Sequence, residues 1–224
     1  MFREKLEMHR RTIAVALAAG FLAGRGSAFA SPVQAESSKD LQSEKIMKKM
    51  KSTHKAPRTL VVFYSRAGNN YVSGRIVDLT VGNTARFAWA IADKLGADCY
   101  EIKTVKSYPT DYRQTTEIAW QELDQEARPE IAGKPVDPSN YDEIYLGYPI
   151  WWGRAPRVIL SYVERFDWNA KKVHLFCTHE GSGIEQSAAE LREKLEGAEV
   201  DAGLSIPGHR IDECEALVER VFKR

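Results

Sequence analysis

Cysteine is scarce and scattered in this sequence: Cys99, Cys177 and Cys214 are its three thiols, and none belongs to a Cys-x-x-Cys pair. Such spacing indicates neither a metal site nor a disulfide framework. An odd number leaves at least one thiol unpaired within the chain, and the expected role is that of a small buried hydrophobe. Net charge is equally scarce, with 32 Lys and Arg against 31 Asp and Glu. No overall field therefore gathers a nucleic-acid backbone by counterion release, and no nucleic-acid partner is expected. The uncharged apolar stretch over residues 12–24 is only 13 residues long, short of the roughly 20 that a membrane-spanning helix needs. Two nucleotide motifs are missing as well: there is no Gly-Lys-Ser/Thr triplet, and no Gly-x-Gly-x-x-Gly follows the first predicted strand. What is present suffices for a core. Over 224 residues, 43% are apolar, 10% aromatic and 28% charged. That composition fits one globular domain with an appendage, and excludes a wholly disordered, collagenous or polytopic membrane chain.

The appendage is N-terminal. Arg3, Lys5, Arg10 and Arg11 precede the apolar stretch, and Ala28-Phe29-Ala30 follows it. This is the order of a secretory signal, predicted over 1–30 with cleavage after Ala30, or after Ala35 as a second choice. A retained single anchor is the alternative, and the short apolar run argues against it. Arg10-Arg11 loosely resembles the twin-arginine export signal. The predicted location is therefore periplasmic or extracellular, with no stable membrane span after cleavage. Residues 31–57, rich in Ser, Lys and Glu, predict a flexible polar linker. Residues 58–224 form the predicted domain, in which 21 basic and 26 acidic side chains leave a mildly acidic net charge of −5.

Within the domain, apolar patterning alternates. Thr59-Leu60-Val61-Val62-Phe63-Tyr64 is a continuous apolar and β-branched run, as expected of a strand covered on both faces. A polar loop through Ser65, Gly68, Asn69, Asn70 and Gly82-Asn83 is predicted next. From Thr84, the spacing of Phe87, Ala88, Ile91, Ala92 and Leu95 is helical, and Gly96 stands at the stop. The pattern recurs with strands over 99–103, 143–147, 173–177 and 199–204, and helices over 111–126, 157–165, 184–195 and 212–222. Five strands alternating with five helices predict an α/β fold, a doubly wound parallel sheet with helices on both faces, because each parallel neighbour requires a long crossover. Ligands of such sheets sit beyond the carboxyl ends of the strands, where the winding reverses. That singles out the loops after Tyr64, Tyr148 and Cys177.

The first loop combines Ser65, Gly68 and the helix start at Gly82-Asn83-Thr84. Free amides at a helix N-terminus, with two hydroxyls, can hold a phosphate without lysine; plain helix capping explains the same residues. The second loop, Tyr148-Pro149-Ile150-Trp151-Trp152-Gly153-Arg154-Ala155-Pro156, is more specific. Adjacent tryptophans at a strand exit cannot both point into the core, so at least one indole should be displayed as a stacking surface for a flat ligand. A pair capping the interior is the alternative. The third, Thr178-His179-Glu180-Gly181-Ser182-Gly183, offers backbone groups able to grip the edge of a heteroaromatic ring. Ser182 is not a hydrolase nucleophile, since Glu180 stands where the nucleophile elbow has its first glycine. His179 lacks partners at ligand spacing, so no metal site is expected.

On these residues, about 58–208 resembles the flavodoxin family, and more closely its branch with a Trp-Trp-Gly loop. The likeness rests on Phe63-Tyr64-Ser65-Arg66-Ala67-Gly68, Gly82-Asn83-Thr84, Leu146-Gly147-Tyr148-Pro149-Ile150-Trp151-Trp152-Gly153 and Phe176-Cys177-Thr178-His179-Glu180-Gly181-Ser182-Gly183. It implies a flavodoxin-like five-stranded parallel sheet in the order 2-1-3-4-5 and non-covalently bound FMN. By that likeness Ser65, Arg66, Ala67, Asn83 and Thr84 fall on the phosphate side. Pro149, Ile150, Trp151, Trp152 and Gly153 fall beside the isoalloxazine, and Thr178, Glu180, Gly181 and Gly183 at its other edge. Glu180 near the ring would disfavour an anionic reduced flavin, and Arg154 would favour it. The sequence departs from short-chain flavodoxins by about a dozen residues, 70–81, which leaves open which of Asn69, Asn70 and Asn83 takes part. Taken with the N-terminal signal, the resemblance implies an exported electron-transfer protein whose partner is a redox protein or a small quinone-like acceptor. An FMN-dependent NAD(P)H/quinone-type oxidoreductase is the first alternative. A cofactor-free, flavodoxin-shaped binding module is the second.

Overall fold

The computed structural model describes residues 58–223. The predicted signal over 1–30 and linker over 31–57 lie outside the described residues.

The core is a five-stranded sheet of β1 (Thr59–Tyr64), β4 (Asp98–Ile102), β5 (Glu143–Pro149), β6 (Lys172–His179) and β7 (Glu199–Pro207). Its order is β4-β1-β5-β6-β7, and every pairing is parallel. Counting only these strands along the chain, the order is the predicted 2-1-3-4-5. The crossovers are α1 (Asn83–Leu95), α2 (Tyr112–Asp124), α3 (Arg157–Val163) and α4 (Glu185–Lys194), and α5 (Cys214–Val221) closes the chain. All five strands and helices stand where the apolar patterning puts them. The ends shift: β5, β6 and β7 run two or three residues further, and the closing helix is split into a 3-10 segment, Gly208–Glu213, and α5.

Parallel strands bury both faces, and alternate residues of β1 accordingly feed two separate interiors. Leu60, Val62 and Tyr64 join one core with Val158, Ile159, Ala188 and Leu191 of α3 and α4. Val61 and Phe63 join the other, with Phe87, Ala88 and Ile91 of α1 and Val218 of α5. Helix α1 ends at Gly96, which is left-handed (φ +60°) and donates its amide to carbonyls of the last turn. Asp111 caps α2 by accepting the Gln114 amide at 2.9 Å. Cys177 and Cys214 are buried and Cys99 is half-buried. Burial pushes the Cys99 and Cys177 thiols up to about 12, which fits the expected role of small hydrophobes.

One expectation is corrected. The stretch between β1 and α1, read from sequence as a polar loop, contains an antiparallel hairpin of β2 (Gly68–Val72) and β3 (Arg75–Leu79). Its two-residue connection, Ser73 and Gly74, has positive φ at both positions (+47° and +85°). That is the type I′ geometry which matches strand twist. The extra dozen residues are thus an ordered element folded over the carboxyl ends of the sheet.

Packing at the sheet centre is tight enough to test. A Cβ at Gly147 of β5 would overlap the Phe176 ring of β6, a ring itself set edge-on to Phe87 at 5.4 Å. Gly147→Ala is expected to lower unfolding stability by about 2 kcal/mol through overpacking, read as a reduced urea midpoint. An unchanged midpoint would show that the ring can move aside.

Candidate functional site

The end of β1, the start of α1, the exits of β5 and β6, the face of α2 and the hairpin surround one cavity of about 470 Å³. At its α1 end, Ser65 sits one residue past β1 and accepts the Ala85 amide on its hydroxyl at 3.0 Å. A residue remote in sequence thus caps α1, whose first turn carries no acidic side chain. The amides of Asn83 and Thr84 begin the helix and have no intrahelical acceptor. Gly82 must be glycine, because a Cβ there would overlap Ser65 and the Arg66 carbonyl. The Thr84 and Thr178 hydroxyls share a hydrogen bond of 2.8 Å between two buried residues, locking α1 to the end of β6.

At the other end the two tryptophans divide. Trp151 is half-buried and packs edge-on to Tyr64 (5.6 Å) and Tyr108 (5.0 Å). Trp152 is 55% exposed. Positive φ at Trp152 and Gly153 (+52° and +76°) makes the tight turn that sends the rings apart, closed by reciprocal backbone bonds between Trp151 and Arg154 of 2.9 Å. The Trp152 indole donates to the Thr116 carbonyl of α2 at 3.0 Å and lies edge-on to Trp120 at 5.4 Å. One indole is therefore displayed, held rigidly against α2.

Of the residues expected at a site, Ser65, Arg66, Asn83, Thr84, Pro149, Ile150, Trp151, Trp152, Thr178 and Glu180 line the cavity. Ala67, Gly153, Gly181 and Gly183 do not. Arg66 lines it with its terminal nitrogens donating to the carbonyls of Asn69 (2.6 Å), Pro109 (2.6 Å) and Thr110 (2.7 Å), while its buried Nε has no hydrogen-bond partner. Burial lowers its pKa. Arg154 is not among the lining residues and donates to the Gln186 carbonyl at 3.2 Å. Glu180 accepts the Ser73 amide from the hairpin at 2.9 Å.

Sequence reasoning missed much of the second half of the wall. Tyr71 of the hairpin, Tyr112, Thr115, Thr116 and Ala119 of α2, and His179 and Gly208 also line the cavity. Asn70 lines it where Asn69 does not. The α2 residues were readable as an i, i+3, i+4, i+7 stripe of small and aromatic side chains. His179 accepts the Gly181 amide on Nδ1 at 3.0 Å, so its neutral ring carries the proton on Nε2. Burial lowers its pKa despite nearby Glu180 and Glu185, and the imidazole stays a neutral donor at physiological pH.

This geometry agrees with comparisons to known proteins. The model of the flavodoxin family matches residues 77–221. The chain belongs to the flavodoxin family. A crystal structure of a candidate flavoprotein from Bacteroides uniformis is similar at 27% identity and a TM-score of 0.58, covering 74% of this chain and 99% of that one. A counterpart from Bacteroides eggerthii gives 25% identity and a TM-score of 0.58, over 75% and 100% of the two chains. The fold is also that of a Lactobacillus acidophilus flavoprotein solved in complex with FMN, at 24% identity, a TM-score of 0.51 and coverage of 70% and 98%. Among curated proteins there is no match.

The remote cap yields a prediction independent of any ligand. Ser65→Ala removes the acceptor of a buried α1 amide and should cost about 1 kcal/mol of stability in the ligand-free protein, read by urea denaturation. An unaltered midpoint would show that the cap contributes nothing.

Proposed function

We propose that this flavodoxin-family protein binds FMN and carries electrons between partners outside the cytoplasm. The observation that carries the reading is one cavity joining an anion-ready helix start, free of acidic residues, to a fixed and displayed indole, Trp152. The residues fit the cofactor at both ends. The amides of Asn83 and Thr84 would hold the phosphate at the helix start, with the hydroxyls of Ser65, Thr84 and Thr178, fixed by their own hydrogen bonds, available beside it. Trp152 supplies a flat face whose orientation is set by its bond to Thr116. When bound, FMN supplies the electron chemistry. His179, with its proton on Nε2, can donate to an acceptor in the cavity without bringing a charge. The Trp152–Trp120 pair, 55% and 50% exposed, presents aromatic surface at the mouth, and this favours electron delivery to a docked redox partner over turnover of a small acceptor. The extracellular or periplasmic setting rests on the N-terminal pattern of Arg10-Arg11, an apolar stretch and Ala28-Phe29-Ala30.

Titration of the apo-protein with FMN should quench flavin fluorescence. Riboflavin, which lacks the phosphate, should bind at least about tenfold more weakly, the equivalent of one charge-assisted hydrogen bond. Equal affinity for the two would remove the phosphate role of α1, and no quenching by either would remove the flavin. The photoreduced FMN complex should reduce cytochrome c readily yet show no NADH-driven quinone reduction; the reverse pattern would make the protein a reductase. Cell fractionation of the full chain should find it outside the cytoplasm, and cytoplasmic retention would discard the export reading.

A further inference from the structure

The hairpin is fastened very differently at its two ends. At its base, the Arg66 guanidinium ties Asn69, Pro109 and Thr110 together, and the Asn69 amide donates to the Thr110 carbonyl at 3.0 Å. Gly68 turns there with φ +84°, and a Cβ on it would crowd Thr110. At its tip, the Ser73 amide makes one bond of 2.9 Å to the carboxylate of Glu180, an exposed residue of the β6 loop. Between base and tip, Tyr71 stacks on Tyr112 of α2, with ring centres 6.2 Å apart and planes within 28°. Residues from Ser73 to Asp78 are all exposed, and a two-stranded ribbon has little stability of its own. The element thus reaches from the start of α2 across to the β6 loop, carrying Asn70 and Tyr71 in the cavity wall.

The β6 loop it reaches, Thr178-His179-Glu180-Gly181-Ser182-Gly183, has no phenyl, phenol or indole ring. Of the cavity-lining residues, the aromatic ones beyond the tryptophan pair and His179 are Tyr71 and Tyr112. A flat ligand seated against Trp152 therefore has Tyr112 of α2 and Tyr71 of the hairpin as its further aromatic walls, and only Tyr71 stands on an element whose tip is held by a distant latch.

We propose that the hairpin is a strap latched across the cavity by the Ser73–Glu180 bond, and that Tyr71 is a ligand-positioning residue, the movable wall against which a flat aromatic ring is held. This rests on the flavin reading for the identity of the ring. The latch itself does not. With the latch formed, the ligand is enclosed between strap, α2 and the two loops. Breaking one exposed hydrogen bond and one ring stack frees the tip to swing about Gly68. Ligand entry and exit follow that opening.

Two readouts on the full-length chain separate these points. Trypsin cleavage at Arg75, next to the tip, is followed by mass spectrometry in apo-protein. Glu180→Ala should be cut there about tenfold faster than wild type, the change expected from losing one hydrogen bond to a charged group. Glu180→Gln, which keeps an acceptor oxygen, should stay within about threefold of wild type. An unchanged rate in Glu180→Ala, with an unchanged urea midpoint, overturns the latch; so does Glu180→Gln cleaving as fast as Glu180→Ala. FMN dissociation is then measured by stopped-flow fluorescence. Tyr71→Ala should release FMN about tenfold faster and Tyr71→Phe at nearly the wild-type rate, since the ring and not the hydroxyl is required. Equal release by wild type and Tyr71→Ala overturns the wall. If wild type binds no FMN, the wall falls with the flavin reading, while the trypsin result still decides the latch.

Discussion

The site depends on holding the N-terminus of α1 against the ends of two strands that are not its neighbours in sequence. Two hydrogen bonds do this: the Ala85 amide to the Ser65 hydroxyl, and the Thr84 hydroxyl to that of Thr178. All four residues are buried, so each bond is made in a medium where leaving the group unpaired would cost far more than the bond contributes. Gly82 enforces the approach, since no side chain fits between the helix start and the β1 exit. With α1 docked in this way, its amide dipoles face the cavity in which the Trp152 turn and the β6 loop also end. That single docking brings the free amides of the helix start and the displayed indole of Trp152 to one cavity.

The α/β alternation was legible because parallel strands buried on both faces leave an unmistakable apolar run, as in Leu60 to Tyr64, and because Gly96 and Asp111 mark helix ends by mechanisms local to the chain. The three loops were legible because a doubly wound sheet allows ligands few places to go. The hairpin was not. Ser73 and Gly74 make its turn, but Asn69, Asn70 and Gly68 within β2 read as loop chemistry, and β3 alternates too little over Arg75 to Leu79 to declare a strand. Its stability is borrowed from Thr110, Tyr112 and Glu180, all far away in sequence, and no local pattern encodes a borrowed contact. The backbone contacts of Arg66 escaped for the same reason: its partners Pro109 and Thr110 lie more than forty residues on, so no local pattern shows that this cavity-lining residue also staples the hairpin base.

Trp151 and Trp152 show how one sequence signal resolves into two functions. Adjacent residues with positive φ only at the second must diverge, and the turn places one indole among Tyr64 and Tyr108 and the other on α2. The buried member fixes the loop to the core; the exposed member inherits that rigidity without being buried itself. A displayed aromatic surface usually costs side-chain entropy on ligand binding. Here the Thr116 bond and the Trp120 contact have removed that freedom in advance.

The charge distribution has a consequence for how such a cavity selects ligands. Arg66 is the cation in its wall; its two terminal nitrogens donate to backbone carbonyls of the hairpin base and the α2 entry, while its Nε is left without a partner. His179 is kept neutral by burial, and Glu180 contributes negative charge beside the strap. An anion at the α1 start would be met chiefly by oriented amides and hydroxyls, with the terminal nitrogens of Arg66 engaged on the backbone. Such dipoles act over a few ångströms and are little screened by salt, whereas a cationic surface would attract at a distance and lose strength with ionic strength. Recognition of an anion would then depend on fit at the α1 start more than on long-range steering, in keeping with a domain whose own net charge is mildly negative.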